Sequence, residues 1–283
     1  FEEEEELIKR YLPKNLKVDF TENPAKLDDN IKAKIACIRT HSDVNENNFN
    51  AIVSRSVGHN HLKKYPIQTK SLPEYCTKAV AQQSIMLTLA LLRKLPCQIN
   101  NFNSFDRSNL TGSEFENKTL TIYGLGKIGY EIYKMAEALG FNVRGVDIVQ
   151  NWDAKYVSKE EGLNSDIIIC CLNLNEHTKN YFDKETLKQT KKGVFFVNVS
   201  RGEVSPVEDL IELGNHFNGI ALDVFDNESN IDPVKIKESF KINNLILTPH
   251  NSFNTYEALE NKCKLTVEEI NLLLKWPLLI IKK

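Results

Sequence analysis

From Thr119 onward, short apolar runs alternate with segments of helical periodicity, and this alternation constrains the fold more than any other feature. The run TLTIY is followed by a helical pattern at 127–139 and then by NVRGVDI at 142–148. A strand, a helix and a second strand in this order predict a βαβ unit with parallel strands. Further apolar runs occupy residues 166–172, 194–200, 219–225 and 245–250. Because each run is almost continuously apolar, as in strands covered on both faces, we predict a doubly wound parallel sheet.

The residues before this block predict a second, smaller α/β domain. IACIRT at 35–40 and AIVSRS at 51–56 have the composition of strands, and VDF at 18–20 is a weaker candidate. Between the blocks, residues 77–94 form a helical pattern that is apolar nearly all the way round. Such a helix must be buried, either between domains or in a subunit interface, and the second alternative predicts a homodimer. The last helix, at 255–275, is amphipathic and is expected to pack on the first domain.

Composition and charge argue against several classes of function. The chain has 283 residues, of which 41% are apolar, as is typical of a two-domain globular protein. A net charge of −2, with Lys and Glu intermixed, leaves no basic face for nucleic acid. We find no secretory signal and no apolar stretch of membrane-spanning length, and the six cysteines lack metal-ligand spacing. We therefore expect a soluble, cytoplasmic protein that binds neither membranes nor metal.

A glycine motif predicts a dinucleotide site. Gly124, Gly126 and Gly129 form the pattern GxGxxG directly after a predicted strand and at the start of a predicted helix. The first glycine permits a tight turn, the second lets backbone amides approach a pyrophosphate, and the third lets the helix pack on the strand. Asp147 ends the next strand, where its carboxylate would bind ribose hydroxyls and repel a 2′-phosphate. The pattern favours NAD over NADP, and the alternative is a glycine-rich turn that binds nothing.

Polar groups follow three later strands at their carboxyl ends, the edge where ligands bind in an open α/β sheet. Arg201 lies in NVSRG, Glu228 in LDVFDNE and His250 in TPHN. A guanidinium binds a carboxylate through two parallel hydrogen bonds, and an imidazole exchanges protons near neutral pH. A carboxylate beside the imidazole favours its protonated form. Taken singly, each residue could be an ordinary surface or turn residue, whereas together they predict one convergent site.

The segments GLGKIG, NVSRGEV, LDVFDNE and TPHNSFNTYEA, in this order, resemble the signatures of the D-isomer-specific 2-hydroxyacid dehydrogenases. The resemblance runs from about Ile52 to the final helix. It implies hydride transfer between NAD(H) and a small D-2-hydroxy acid or 2-keto acid, of the D-lactate and pyruvate kind. It also implies a Rossmann-type NAD-binding domain at 75–251 and a smaller, flavodoxin-like α/β substrate domain at 1–74 plus 252–283.

The same resemblance implies roles for individual residues. Arg201 would bind the substrate carboxylate, His250 would act as general acid and base, and Glu228 would pair with the histidine. The residues expected at the cofactor are Gly124, Gly126, Lys127, Ile128, Gly129, Asp147, Leu172, Asn173, Thr178, Val199, Ser200, Asp223 and Ser252. Those expected at the substrate are Val57 and Gly58, through their amides, and the aromatic residues Tyr75 and Phe253, which could equally be packing residues.

The chain departs from the family pattern at several places. The family's first strand is expected to be missing, the stretch between Gly58 and Ser71 is shorter, and Pro66 stands where a glycine is usual. Asn173 replaces a proline, and Ser252 replaces a glycine or alanine near the nicotinamide. Two alternatives to an enzyme therefore stay open: an NADH-sensing binding protein, like the related C-terminal-binding corepressors, and an inactive member of the family.

Overall fold

The computed structural model describes residues 2–18, 20, 33–39, 42–58 and 60–275. The chain divides into two compact units. The smaller unit contains Phe1–Cys76 and Asn254–Lys283, and the larger unit contains Thr77–Phe253. These boundaries differ by two residues from the domain division expected from the sequence.

Strands and α-helices alternate along most of the described chain. The strands are β1 (Ala33–Ile38), β2 (Phe49–Ser54), β3 (Gln68–Ser71), β4 (Thr119–Tyr123), β5 (Asn142–Val146), β6 (Ile167–Cys170), β7 (Val194–Asn198), β8 (Phe217–Leu222) and β9 (Leu245–Leu247). The helices are α1 (Glu2–Tyr11), α2 (Thr77–Leu92), α3 (Leu95–Asn101), α4 (Lys127–Ala138), α5 (Lys159–Leu163), α6 (Lys184–Lys188), α7 (Val207–Glu212), α8 (Pro233–Ser239) and α9 (Tyr256–Lys275). None of these helices is both long enough and apolar enough to span a membrane.

The larger unit is built on a six-stranded sheet in the order β5-β4-β6-β7-β8-β9, and every neighbouring pair is parallel. Every residue of β6 and β7 is buried, which requires cover on both faces of the sheet. The predicted fold class, a doubly wound parallel sheet, is therefore confirmed. The strand order reverses at β4, between β5 and β6, so that the loop following β4 lies at the switch point of the sheet.

Helix α2 packs against α4, β7 and β8 inside the larger unit. It ends at Leu92, two residues before the expected end, because Lys94 adopts a left-handed conformation with φ of 51° and interrupts the helix before α3. Ala81, Leu87 and Leu91 are buried, whereas Met86 is 52% exposed. The rest of the chain therefore covers only part of the apolar surface of α2.

The predicted strands extend too far at their carboxyl ends. The run at 194–200 is a strand only to Asn198, and the run at 245–250 is a strand only to Leu247. His250 has a φ of 50°, in the left-handed region, which a strand does not contain. The residues beyond each strand end form loops instead.

The smaller unit contains the three-stranded parallel sheet β1-β2-β3. Helix α9 packs on α1 and on β2, and Ile8, Cys263 and Val267 are buried between the two helices. The prediction of a weaker strand at 18–20 is wrong for Val18 and Phe20, which lie outside any strand. Asp19 lies outside the described residues.

Phe182 tests the packing of the larger unit's core. Its ring is fully buried and meets the rings of Tyr123 and Phe196 edge to face, with centroids 4.9 and 5.2 Å away. We expect Phe182→Ala to lower the free energy of unfolding of this unit by about 3–5 kcal/mol, because it leaves a cavity that rigid strands cannot close. Urea unfolding followed by circular dichroism measures this. The control Val234→Ala, at an exposed position, should change stability by less than about 0.5 kcal/mol; equal losses would contradict the described core.

Candidate active site

The loop after β4 has the geometry that its glycines predict. Gly124 has a φ of 94°, which favours glycine, and its amide donates to the Val146 carbonyl at 2.9 Å. A Cβ on Gly129 would lie 1.9 Å from the Gly124 carbonyl oxygen, so only glycine permits this approach of helix α4 to the turn. Gly126 is the residue immediately before α4. Close backbone contacts therefore fix the turn and the start of the helix relative to each other.

Two side chains hold this loop from the β5 side. Asp147 accepts a hydrogen bond from the Leu125 amide at 2.6 Å and another from the Val149 amide at 2.9 Å. Trp152 donates its indole N–H to the Leu125 carbonyl at 2.6 Å and stacks on Tyr130, with ring centroids 4.5 Å apart. The sequence does not identify Trp152 as a contact of this loop, because no local pattern links it to Leu125, 27 residues earlier.

The residues around this loop fit a dinucleotide. A Cβ built on Gly126 would meet no atom within 4 Å, so the space in front of α4 is open. Backbone amides at the start of a helix face such a space and favour phosphate. The Ser252 hydroxyl is buried and has no hydrogen-bond partner among the described residues, which leaves it available to a bound ligand. Both features agree with the predicted cofactor site.

The fully buried carboxylate of Asp223 holds the turn after β9. One of its oxygens accepts hydrogen bonds from the Thr248 hydroxyl at 2.5 Å and the Asn251 amide at 2.9 Å. The other accepts from the Ser252 amide at 2.9 Å. The His250 amide also donates to the Asp223 carbonyl at 2.8 Å. The turn that carries the histidine is thus attached to the end of β8, and Asp223 has this structural role in addition to the expected cofactor contact.

His250 and Glu228 meet, as the sequence predicts. Nδ1 of His250 lies 2.8 Å from Oε2 of Glu228, and Oε1 of the glutamate accepts from the Phe225 amide at 3.2 Å. Since a carboxylate ion only accepts, the imidazole proton in this pair belongs on Nδ1. Nε2 then remains for a ligand. The ring of Phe253 stands edge to face at 6.2 Å from the imidazole.

The loop after β7 carries Arg201. Asn198, at the end of the strand, is fully buried; its amide nitrogen donates to the Arg201 carbonyl at 3.1 Å, and its amide oxygen accepts from the Ser200 amide at 2.9 Å. A Cβ on Gly202 would lie 1.8 Å from the Phe225 carbonyl carbon, so this loop is fixed on both sides of the arginine. The guanidinium itself is exposed and donates to the Ser200 carbonyl at 2.6 Å. Sequence reasoning recognised the NVSRG segment but assigned no role to Asn198.

The other residues expected at the cofactor lie in the loops after β4, β6 and β7. Lys127 and Ile128 form the first turn of α4. Leu172 packs partly against the core, and Thr178 donates its hydroxyl to the Asn173 carbonyl. Val199 and Ser200 are buried, and the Ser200 hydroxyl lies 3.2 Å from the Cys170 sulfur. These loops stand at the carboxyl ends of adjacent strands, the usual ligand edge of such a sheet.

Three of the residues expected at the substrate belong to the smaller unit. Val57 and Gly58 follow β2, where the Ser56 hydroxyl donates to the Gly58 carbonyl at 2.9 Å. Tyr75 is half-buried, and the ammonium of Lys262 lies 5.9 Å from the centre of its ring. Their part in substrate binding stays a prediction. Within the described part of the chain, no cluster of His, Cys, Asp or Glu side chains is arranged to hold a metal ion.

Comparison with known proteins identifies the family. The family model for the NAD-binding domain of D-isomer-specific 2-hydroxyacid dehydrogenases matches residues 85–252, more than half of the chain. The chain belongs to the D-isomer-specific 2-hydroxyacid dehydrogenase family. The matched range contains the glycine loop, NVSRGEV, LDVFDNE and the TPHN segment with His250, and the family model describes an NAD-binding domain, so NAD is confirmed as the cofactor of this domain.

Individual relatives agree with this assignment. A D-lactate dehydrogenase of Staphylococcus epidermidis is 30% identical over 221 residues, which make up 70% of this chain and 66% of the relative, just under two thirds of its length. An aromatic 2-oxoacid reductase of Clostridium sporogenes is 28% identical over 76% of this chain and 73% of its own. A solved D-lactate dehydrogenase of Aquifex aeolicus, complexed with NAD and lactic acid, superposes with a TM-score of 0.83 at 25% identity, covering 96% of this chain and 91% of that one.

The glycine loop yields a prediction that separates ligand binding from folding. We expect Gly126→Ala to leave the melting temperature unchanged, because the added methyl group meets no protein atom, but to weaken NADH binding at least ten-fold. Gly129→Ala should instead destabilise the fold, because its Cβ collides with the Gly124 carbonyl. Fluorescence titration with NADH and thermal unfolding distinguish the two effects. Unchanged NADH affinity in folded Gly126→Ala would contradict the placement of the cofactor phosphates.

Proposed function

We propose that the chain is an NAD-dependent dehydrogenase that reduces a small 2-keto acid to the D-2-hydroxy acid and catalyses the reverse reaction. The observation that carries this proposal is the pair formed by His250 Nδ1 and Glu228 Oε2 at 2.8 Å, in a family whose domain binds NAD. When bound, NADH supplies the hydride that attacks the keto carbon. The chain itself has to hold the keto acid and supply a proton to its oxygen.

In this proposal, His250 is the proton donor. Glu228 accepts from Nδ1 and thereby orients the ring, so that a proton on Nε2 can be donated to the keto oxygen as negative charge develops there. In the oxidative direction, Nε2 accepts the hydroxyl proton, and Glu228 stabilises the imidazolium that forms. The left-handed backbone of His250, held by Asp223, fixes the direction in which the ring leaves the turn.

Arg201 binds the substrate carboxylate in this proposal. It follows β7 and His250 follows β9, with only β8 between the two strands. A planar guanidinium offers two parallel N–H groups to a carboxylate, which orients the keto acid as well as binding it. The Asn198 amide and the close approach of Gly202 to Phe225 fix the backbone on either side of the arginine. Phe253, beside the imidazole, would form an apolar wall for the side chain of the acid.

The cofactor is bound by the remaining predicted residues. The glycine loop with Lys127 and Ile128 would hold the pyrophosphate, and Asp147 the ribose. The residues that would surround the rest of the dinucleotide are Leu172, Asn173, Thr178, Val199, Ser200, Asp223 and Ser252. Among them, Ser252 has the best support from the geometry, because its buried hydroxyl has no hydrogen-bond partner within the described residues.

Two buried cysteines bear on the cellular compartment in which the enzyme works. Burial raises the pKa of the Cys170 thiol to about 11, and burial likewise raises the pKa of the adjacent Cys171 thiol. Both sulfurs therefore stay protonated and unreactive near neutral pH. Such a pair of reduced thiols suits the cytoplasm, where we propose that the enzyme works.

We also propose a homodimer that forms through α2, α3 and the segment after α3. The apolar side chains of Met86, Ile99, Phe102 and Phe105 are 52–75% exposed within a stretch of 20 residues. Large apolar groups concentrated in this way are typical of subunit contacts. A second copy of the chain, related by two-fold symmetry, could cover them.

The role of His250 is tested by substitution. We expect His250→Ala to lower kcat for pyruvate reduction by a factor on the order of 10²–10⁴, because the proton donor is lost, while the NADH dissociation constant changes little. Absorbance at 340 nm and a fluorescence titration measure the two quantities. His177→Ala, which removes an exposed imidazole, is the matched control. A His250→Ala enzyme that turns over normally would rule out His250 as the proton donor. A wild-type chain that binds NADH but reduces no 2-keto acid would instead favour the NADH-sensing binding protein.

The dimer is tested independently of catalysis. We expect the wild-type chain to elute as a dimer in size-exclusion chromatography with light scattering, and Phe102→Glu to elute as a monomer, because a buried, unpaired carboxylate opposes association. Val234→Glu, at an exposed apolar position on α8, should leave the dimer intact. A monomeric wild-type chain at micromolar concentration would contradict the proposed interface.

A further inference from the structure

The turn after β9 contains a serine whose hydroxyl is buried without a partner. Ser252 is 5% exposed, and its Oγ has no hydrogen-bond partner among the described residues. A buried hydroxyl without a partner is unfavourable, because it has lost its hydrogen bonds to water. The Ser252 amide, by contrast, donates to Oδ2 of Asp223 at 2.9 Å. The backbone of the serine is therefore held in place, whereas its hydroxyl is available to a ligand.

The carboxylate of Asp223 can accept one more hydrogen bond. Each oxygen of an ionised carboxylate accepts about two hydrogen bonds. Oδ1 of Asp223 accepts from the Thr248 hydroxyl and from the Asn251 amide. Within the described part of the chain, Oδ2 accepts only from the Ser252 amide. An unused acceptor and an unused donor therefore lie on two residues, Asp223 and Ser252, that a hydrogen bond joins directly.

A primary carboxamide complements this pair of groups, because its oxygen accepts and its NH2 group donates. The nicotinamide ring of NAD carries such a carboxamide. In the proposed reaction the ring has to lie beside His250, because the hydride reaches the carbon whose oxygen takes the proton from Nε2, and reacting atoms approach to about 3–3.5 Å. Ser252 lies two residues after His250 in the same turn. The carboxamide is therefore the part of the cofactor that this turn is suited to bind.

We propose that Ser252 orients the nicotinamide: its hydroxyl donates to the carboxamide oxygen, while Oδ2 of Asp223 accepts from the carboxamide NH2 group. A serine hydroxyl has three staggered positions about the Cα–Cβ bond, so it can turn toward a ligand at the turn. Glycine or alanine, the usual residues at this position in the family, cannot form this bond, and the contact is particular to this chain. The inference rests on the proposed function, which places the nicotinamide beside His250.

Removal of the hydroxyl separates cofactor binding from a structural role. Ser252→Ala should leave the melting temperature of the ligand-free chain unchanged or raise it, because a methyl group replaces an unsatisfied buried hydroxyl. The dissociation constant of NADH should rise about three- to ten-fold, the contribution of one neutral hydrogen bond. Thermal unfolding and isothermal titration calorimetry measure the two quantities. The matched control is Ser84→Ala, which removes a buried hydroxyl that donates to the Val80 carbonyl at 2.7 Å and should leave the NADH affinity unchanged.

Two cofactor analogues identify the atom that Ser252 binds. The thionicotinamide analogue of NADH carries sulfur, a weaker acceptor, in place of the carboxamide oxygen, and the 3-acetylpyridine analogue carries a methyl group in place of NH2. The wild-type chain should bind the thio analogue about three-fold more weakly than NADH or weaker still, and Ser252→Ala should lose this difference. The acetylpyridine analogue lacks the donor to Asp223 instead. Its affinity relative to NADH should therefore be the same in the wild type and in Ser252→Ala.

The outcomes distinguish this inference from the function on which it rests. An unchanged NADH affinity in Ser252→Ala, a marked fall in its melting temperature without ligand, or a preference for NADH over the thio analogue that survives the substitution would overturn the inference. Reduction of pyruvate by the wild-type chain would leave the proposed dehydrogenase intact in each of these cases. Failure of the wild-type chain to reduce any 2-keto acid would contradict the proposed function, whereas loss of the preference for NADH over the thio analogue in Ser252→Ala would still support the bond to the carboxamide.

Discussion

The site depends on one buried carboxylate. Asp223 directly follows β8 and accepts hydrogen bonds from the Thr248 hydroxyl and from the amides of Asn251 and Ser252. These contacts hold His250 in a left-handed conformation that an unconstrained histidine seldom adopts. An ionised carboxylate can satisfy three donors at once, which an apolar or amide side chain at the same position could not do equally well. The backbone and Asp223 therefore set the direction in which the imidazole leaves the turn. The hydrogen bond to Glu228 then fixes the orientation of the ring.

Buried or partly buried polar side chains also hold the backbone of the loops after β7 and β4. In the loop after β7, the buried side-chain amide of Asn198 donates to the Arg201 carbonyl and accepts from the Ser200 amide, and it thereby shapes the segment that ends in Arg201. In the loop after β4, the indole of Trp152 and the carboxylate of Asp147 hold the carbonyl and the amide of Leu125. The loops after β4, β7 and β9 are thus each shaped by a polar side chain that itself needs no contact with a substrate. The exposed Arg201 guanidinium donates one N–H to the Ser200 carbonyl and has other N–H groups that can bind a ligand.

The sequence predicts the architecture of the larger unit well, because a strand buried on both faces must be almost continuously apolar, as β6 and β7 are. It overestimates the length of strands, because loop residues such as Val199 and Val224 are apolar and buried as well. The resemblance to the family implies the pairing of His250 with Glu228, and the two side chains lie 2.8 Å apart in the structure. The roles of Asp223, Asn198 and Trp152 in the loops could not be predicted, since they depend on backbone groups that are brought close only by folding.

In the proposed enzyme, the His250 imidazole, the Arg201 guanidinium and the nicotinamide meet around one small acid. A crystal structure of the chain with NADH and oxamate, an unreactive analogue of pyruvate, tests this most directly. We expect the oxamate carboxylate to lie on the Arg201 guanidinium. The amide carbonyl oxygen of oxamate, which corresponds to the keto oxygen, should lie within hydrogen-bond distance of His250 Nε2. The pyrophosphate should lie at the start of α4. Oxamate bound away from His250, or a dinucleotide bound away from the Gly126 loop, would contradict this arrangement.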